Sequence, residues 1–195
     1  GQECEELEKK YNKSPAEVLD MFGLLRDGSL LAHCVRLDAR DIRLLKGRKV
    51  YIAHNPASNS KLASGICDTE KLFDEGLHVT LGTDGAGSND SLDMLRDLRL
   101  AAFLPKILHK RADAGAPERW LYAATAAAYE ALGFKEAGRL KKGEAADFMI
   151  YNPDTPGSAP AGEDSDPFSL RVYAGNNASV ERLTVNGRCI DKDGD

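Results

Sequence analysis

The apolar positions of the chain fall into two textures. As far as about residue 132, short aliphatic or β-branched runs take turns with segments whose apolar residues recur at helical spacing. After about residue 138, brief strand-like runs sit among loops rich in Pro, Gly and Asp. In the first part, residues 3–13 are charged and helical in pattern. Ser14-Pro15-Ala16-Glu17 reads as a helix start, with Ser at the N-cap, Pro in the first turn and Glu placed to complete a capping box. Val18, Leu19, Met21 and Phe22 give that helix an apolar face, and Gly23 ends it. Residues 29–35 are a nearly continuous apolar run, suited to a strand covered on both faces. Asp38 can cap a helix running to Lys46, with Ile42, Leu44 and Leu45 inward and Gly47 after it. Residues 49–54 form a second strand of buried type, and residues 55–60 read as a loop of turn-forming types around Pro56. A short helix over 68–75 turns Leu72 and Phe73 inward, and a third strand follows over 78–83.

Helix and strand alternate three times in that stretch, which predicts a parallel sheet with right-handed crossovers. The carboxyl ends of its strands then share one rim, and the residues there are His33, His54 and Asp84. Leu92, Leu95, Leu98, Ala102 and Phe103 predict an amphipathic helix that Pro105 kinks or ends. After a loop at 111–117, an Ala-rich helix is expected over 118–132, packing through Trp120, Leu121, Ala124, Ala128 and Tyr129. The second part should hold a strand at 148–151, a loop over 152–167, and a hairpin of 180–185 and 188–190 about the turn Asn186-Gly187. The expected division is an α/β region, 1–136, and a small β segment, 137–195.

With 195 residues and 42% hydrophobic content, the chain has room for one globular domain or one with a small second. A net charge of −5 argues against nucleic acid as a partner. No run approaches the ~18 apolar residues of a membrane span. The chain opens on polar residues, without an initiator Met or a visible secretory signal. Cys4, Cys34, Cys67 and Cys189 form no Cys-x-x-Cys pair. A structural zinc knuckle is therefore not expected; buried thiols in a reducing, cytoplasmic setting are.

The rim is where chemistry is expected, because ligands in α/β folds bind at the carboxyl ends of the strands. The stretch 78–90 runs from a strand into Asp84 and then a loop of Gly, Ser and Asn, which puts one carboxylate at a strand tip. A carboxylate and an imidazole on neighbouring tips can hold a divalent metal or work beside one, and such a metal draws the pKa of its water towards ~7. Asp84 is then a candidate metal ligand and proton acceptor, and His33 a hydrogen-bonding partner of the water or substrate. The plainer alternatives are an Asp that caps the following turn, a His33 satisfied within the core, and a His54 that only organises its loop. Ser88 and Asn89 suit either substrate contact or capping of the next helix. His78 begins its strand on the opposite rim and His109 sits in a helix tail, so both are expected to be structural. A phosphate cradle at 82–87 lacks the Gly-x-Gly-x-x-Gly spacing and the Gly-Lys-Ser/Thr ending.

Three motifs in register, Leu31-Ala32-His33-Cys34-Val35, His54-Asn55-Pro56-Ala57-Ser58-Asn59 and Gly82-Thr83-Asp84-Gly85-Ala86-Gly87-Ser88-Asn89, resemble the amidohydrolase superfamily. The branch they resemble most is the methylthioadenosine/S-adenosylhomocysteine deaminases with the related chlorohydrolases and cytosine or guanine deaminases. The stretch 138–150 resembles that family's return from barrel to composite β-sandwich. The resemblance implies an α/β fold: strands six to eight of a (β/α)8 metal-dependent hydrolase barrel, followed by part of the sandwich. It implies that Asp84 ligates zinc, or iron, and shuttles protons, and that His33 polarises the water or substrate. It further implies that His54, Asn55, Ser58 and Asn59 line the pocket. The implied reaction is hydrolytic deamination of an aminated heteroaromatic ring.

The His-x-His pair and the further His that this family carries on earlier strands do not occur here, and no histidine precedes Ser29. Three strands cannot close a barrel of eight strands and ~250 residues. The expectation is therefore a C-terminal portion of an enzyme, inactive alone, whose partner is the N-terminal half of the barrel. The alternative is a non-catalytic binding or assembly module that pairs its open sheet edge with another chain, a second copy included.

Overall fold

The computed structural model describes residues 2–158, 162 and 164–190. Helices α1 (Gln2–Tyr11) and α2 (Pro15–Met21) come first. The Ser14 side chain accepts from Glu17 N while Glu17 accepts from Ser14 N, the expected capping box. Then β1 (Leu30–Ala32), α3 (Ala39–Lys46), β2 (Tyr51–His54), α4 (Pro56–Lys61), α5 (Thr69–Asp74) and β3 (His78–Leu81) build a parallel sheet in the order β1-β2-β3. Leu30 pairs with Tyr51, Tyr51 with His78, and His54 with Leu81, so the three carboxyl ends finish level. Helices α6 (Ala86–Asn89), α7 (Met94–His109), α8 (Pro117–Ala124) and α9 (Ala126–Ala131) follow. The core gathers Leu45, Val50, Ile52, Val79, Leu81, Leu98 and Trp120 between the sheet and these helices.

Three expectations fail locally. Residues 29–35 do not form a strand covered on both faces: β1 is short and lies at the sheet edge, and of its residues only Leu31 packs against the core, which leaves Leu30 45% exposed. Residues 56–61 are not a loop but α4, since Pro at the first helical position loses only an N–H that would lack an intrahelical partner anyway. Of the two outcomes expected at Pro105, a kink or an end, the end does not occur: α7 runs through it to His109. The helix expected over 118–132 divides at Thr125 (φ −123°, ψ −97°), whose hydroxyl donates to Leu121 O at 2.7 Å. Trp120 is fully buried as expected, joined by Ala123, Ala126 and Ala127.

Strands β4 (Phe148–Tyr151), β5 (Val180–Val185) and β6 (Arg188–Ile190) form an antiparallel sheet in that order. Asn186 and Gly187 both have positive φ (48° and 77°), as the tight turn of this hairpin requires. Of the loop expected over 152–167, residues 159–161 and 163 lie outside the described residues; Pro156–Ser158 is a 3-10 turn. Helix α10 (Pro167–Ser169) and a π-turn, Leu170–Ala174, return to the α/β region. There Val172 is buried in the core, Tyr173 stacks on Phe103 with ring centroids 5.3 Å apart, and the Arg99 guanidinium donates to Gly175 O at 2.6 Å. No helix of the described residues is long and apolar enough to cross a membrane. Burial pushes the thiols of Cys34 and Cys67 up to about 12, whereas Cys189 is exposed on β6.

Candidate active-site rim

Strand β1 ends one residue before His33 and β3 three residues before Asp84, and both residues turn into the left-handed region (φ 68° and 63°). That conformation is uncommon outside glycine, although His and Asp enter it more readily than most. It swings both side chains off their strands onto the same rim: His33 Nε2 stands 3.8 Å from Asp84 Oδ2. The side chains are 43% and 29% exposed, so both groups reach solvent.

Helix α4 lies behind them. Ser58 donates to Asp84 Oδ2 at 2.6 Å, and Ser88 from α6 donates to the same oxygen at 2.7 Å. These two hydroxyls, helped by the Gly85 backbone and the nearby His33, hold the Asp84 carboxyl down at about 2. Asn59 Oδ1 lies 2.9 Å from His33 Nδ1, and Asn55 Oδ1 accepts from His33 N at 3.3 Å. The approach of Asn55 depends on Gly82, where a Cβ would stand 2.9 Å from the Asn55 amide nitrogen. Lys61 spans α4 and α6, donating to Gly87 O and pairing with Asp90.

His54 takes a different position from the one expected of a pocket-lining residue. Only 1% exposed, its ring packs on Trp120 at 5.3 Å, and neither ring nitrogen has a hydrogen-bond partner among the described residues. Burial, with a smaller contribution from His33, pulls its pKa down to about 4, so the ring is neutral near pH 7. Asn55, Ser58, Asn59 and Asn89 are also 4% exposed or less. They form the wall behind the rim, while His33, Asp84 and Ser88 form its open face. His109 pairs with Asp68 at 2.7 Å, and the His78 ring lies tilted against Tyr51, 5.4 Å between centroids, at the amino end of the sheet.

Sequence reasoning missed Asp97. Fully buried on α7, it accepts from Ala57 N at 3.1 Å and from Asn89 Nδ2 at 2.9 Å; Asn89 also donates to Thr83 O at 2.7 Å. One carboxylate thus ties together α4 and α6, the two segments whose serines hold Asp84. Asn89 serves this brace and does not cap α7, whose N-cap is Asp93. The available signal was an acidic residue beside the apolar stripe of Leu95, Leu98 and Ala102.

A catalytic zinc ion takes about three protein ligands and keeps an open position. Among the described residues no group of three or more His, Cys, Asp or Glu side chains could hold a metal. The ionised, hydroxyl-braced and partly exposed Asp84 suits one ligand position, and the set around it is incomplete among the described residues.

Known proteins are similar to this chain in sequence and in fold. The chain is 40% identical over 193 residues to a 5-methylthioadenosine/S-adenosylhomocysteine deaminase of Pyrococcus furiosus, covering 99% of the chain and 45% of that relative. The fold matches an adenosine deaminase of Xanthomonas campestris, solved with bound zinc, at TM-score 0.91 and 31% identity, over 97% of this chain and 43% of that one. It matches a triazine hydrolase of Arthrobacter aurescens at TM-score 0.87 and 27% identity, over 96% and 41%. The chain therefore spans less than half the length of the relatives it matches. The amidohydrolase family itself is matched over residues 1–190, and with that extent the chain belongs to it.

Proposed function

We propose that this chain supplies the last three strands of a (β/α)8 barrel and part of a composite β-sandwich to a metal-dependent hydrolase. The division falls near residues 136 and 137, and the enzyme acts on C–N bonds of aminated heteroaromatic rings. The reaction is hydrolytic deamination: water adds at the amino-bearing ring carbon, the C–N bond breaks, and the ring keeps the oxygen while ammonia leaves. One observation carries this, the convergence of His33 and Asp84 on one rim with Ser58 and Ser88 bonded to the same Asp84 oxygen. The deaminase and hydrolase names of the relatives support it.

Asp84 is one ligand of a divalent metal, most simply zinc, and the other ligands lie in the part of the parent that this chain does not span. Such a metal acidifies bound water and so supplies a nucleophile near neutral pH. The remaining chemistry belongs to residues in view. Asp84 takes the proton of the attacking water and delivers it to the departing amine. Its two serine donors keep it ionised and aimed. His33 meets the water or the substrate from the side of β1, and Ser88, on the open face, is the further polar contact for the ring. His54, Asn55, Ser58, Asn59 and Asn89 act from the wall.

Ammonia release tests this. The 195-residue chain alone should release none; a protein restored to the length of its relatives should deaminate an aminated purine, pyrimidine or triazine. A restored, folded protein that deaminates none of these would overturn the proposal. The exposed edge strand β1 favours a second reading, an assembly module that pairs this edge with another copy. A monomer by light scattering would count against it.

A further inference from the structure

We infer that Asn59 is a positioning residue that fixes the tautomer of His33. The side chain is 2% exposed and meets the ring from the wall, its Oδ1 standing 2.9 Å from His33 Nδ1. With the amide oxygen turned to the ring, and Asn59 Nδ2 without a hydrogen-bond partner among the described residues, the contact is made by an acceptor, which assigns the hydrogen to Nδ1 and leaves Nε2 with its lone pair. The other end of the ring agrees. The carboxylate oxygen nearest Nε2 is 3.8 Å away, beyond hydrogen-bond distance, and already accepts from Ser58 and Ser88. A hydrogen on Nε2 would gain nothing from Asp84, whereas a hydrogen on Nδ1 has an acceptor waiting.

The backbone holds the same arrangement from a second side. His33 N donates to Asn55 Oδ1 and to Ala53 O, which keeps residue 33 in its left-handed turn with the ring over α4. Asn55 and Asn59 sit one helical turn apart, at the N-cap and on the body of α4, so one short helix grips both the backbone and the ring of His33. Neutral His33 therefore faces the open rim as a hydrogen-bond acceptor. It can receive a hydrogen bond or a proton from water or substrate at Nε2, and it cannot donate one from that atom until it is protonated. This consequence for the reaction rests on the proposed hydrolytic function; the tautomer does not.

The test uses the whole 195-residue chain labelled with 15N-histidine, in mildly alkaline buffer without metal or substrate. Long-range proton–nitrogen correlations show which ring nitrogen bears hydrogen, and His33→Gln assigns the signal among the four histidines. His33 should show a protonated Nδ1 and a bare Nε2. In Asn59→Ala the Nδ1–H form should fall from dominant to minor, because a free imidazole prefers its hydrogen on Nε2. In Asn59→Asp, which keeps an oxygen at the position, it should persist. Unmoved signals from His78 and His109 establish that each variant is folded. A wild-type His33 with hydrogen on Nε2 would overturn the inference, as would a folded Asn59→Ala with the tautomer unchanged. If Asn59→Ala does not fold, the wild-type spectrum and Asn59→Asp decide. Failure would remove Asn59 from its role and leave C–N hydrolysis standing, since neither metal nor substrate enters the measurement.

Discussion

The two rims of the parallel sheet are built on opposite principles. At the amino end, Tyr51 donates to Glu130 at 3.0 Å, Lys49 pairs with Glu130 at 2.8 Å, and His78 packs at a tilt against the Tyr51 ring. Lys49 is 54% exposed and Glu130 38%, so water already solvates these charges and their pairing adds little. At the carboxyl end, the exposed His33 and Asp84 rest on polar groups that are almost wholly buried: Asn55, Ser58, Asn59, Asn89 and Asp97. Buried hydrogen bonds are costly to break and hold their partners in one geometry. A strand end can thus be merely solvated or mechanically supported, and the supported end is the one where the chemistry is proposed.

The contrast can be broken most strongly at Asp97. Asp97→Ala leaves Ala57 N without its acceptor and takes one of the two that Asn89 Nδ2 uses; at ~1–3 kcal/mol for each buried hydrogen bond left unmade, the loss should be about 3 kcal/mol in urea unfolding. Glu130→Ala, the matching cut at the other rim, should cost under about 1 kcal/mol. A comparable cost for both would erase the difference between the rims.

His54 gives an intermediate effect. Its folded pKa is depressed from 6.5 to about 4, so between those values the unfolded chain binds the proton that the folded chain refuses. Stability from this group is full above pH 6.5 and is lost as pH falls towards 4. Unfolding at pH 7 and pH 5 should show that loss in the wild type and much less of it in His54→Leu.

Asp84 sharpens the comparison on a finer scale. Its depressed carboxyl contributes stability that is present above its ordinary 3.8 and is lost as pH falls through about 2. Ser58→Ala removes the hydroxyl that lowers it most, so carboxyl NMR should show the Asp84 pKa rising, and rising less in Ser88→Ala. Equal pKa values in wild type and both variants would mean that the serines do not support the carboxylate.

Much of this was legible in the chain. Ser14, Glu17 and Asp38 sit where capping chemistry demands, and β2 and β3 are where buried apolar runs end at His54 and before Asp84. The failures share a cause: tertiary contacts decided what local pattern left open. Pro56 suits both a loop and the first turn of a helix, and the burial of Ala57, Ser58 and Asn59 against α7 chose the helix. Thr125 stands in a run of alanines with no local signal for a break. Asp97 looked like one more polar helix position, because its partners Ala57 and Asn89 are distant in sequence or lie beyond a loop. His33 and Asp84 could be read as neighbours, and the resemblance named His54, Asn55, Ser58 and Asn59 around them; the Asp97 brace behind that wall could not be read.

The most direct measurement is metal content in the protein restored to the length of its relatives, compared with its Asp84→Asn variant. Stoichiometric zinc or iron in the former, sharply reduced in a folded Asp84→Asn, is the expected result. Equal metal in both, or none in a folded wild type, would contradict a catalytic rim centred on Asp84.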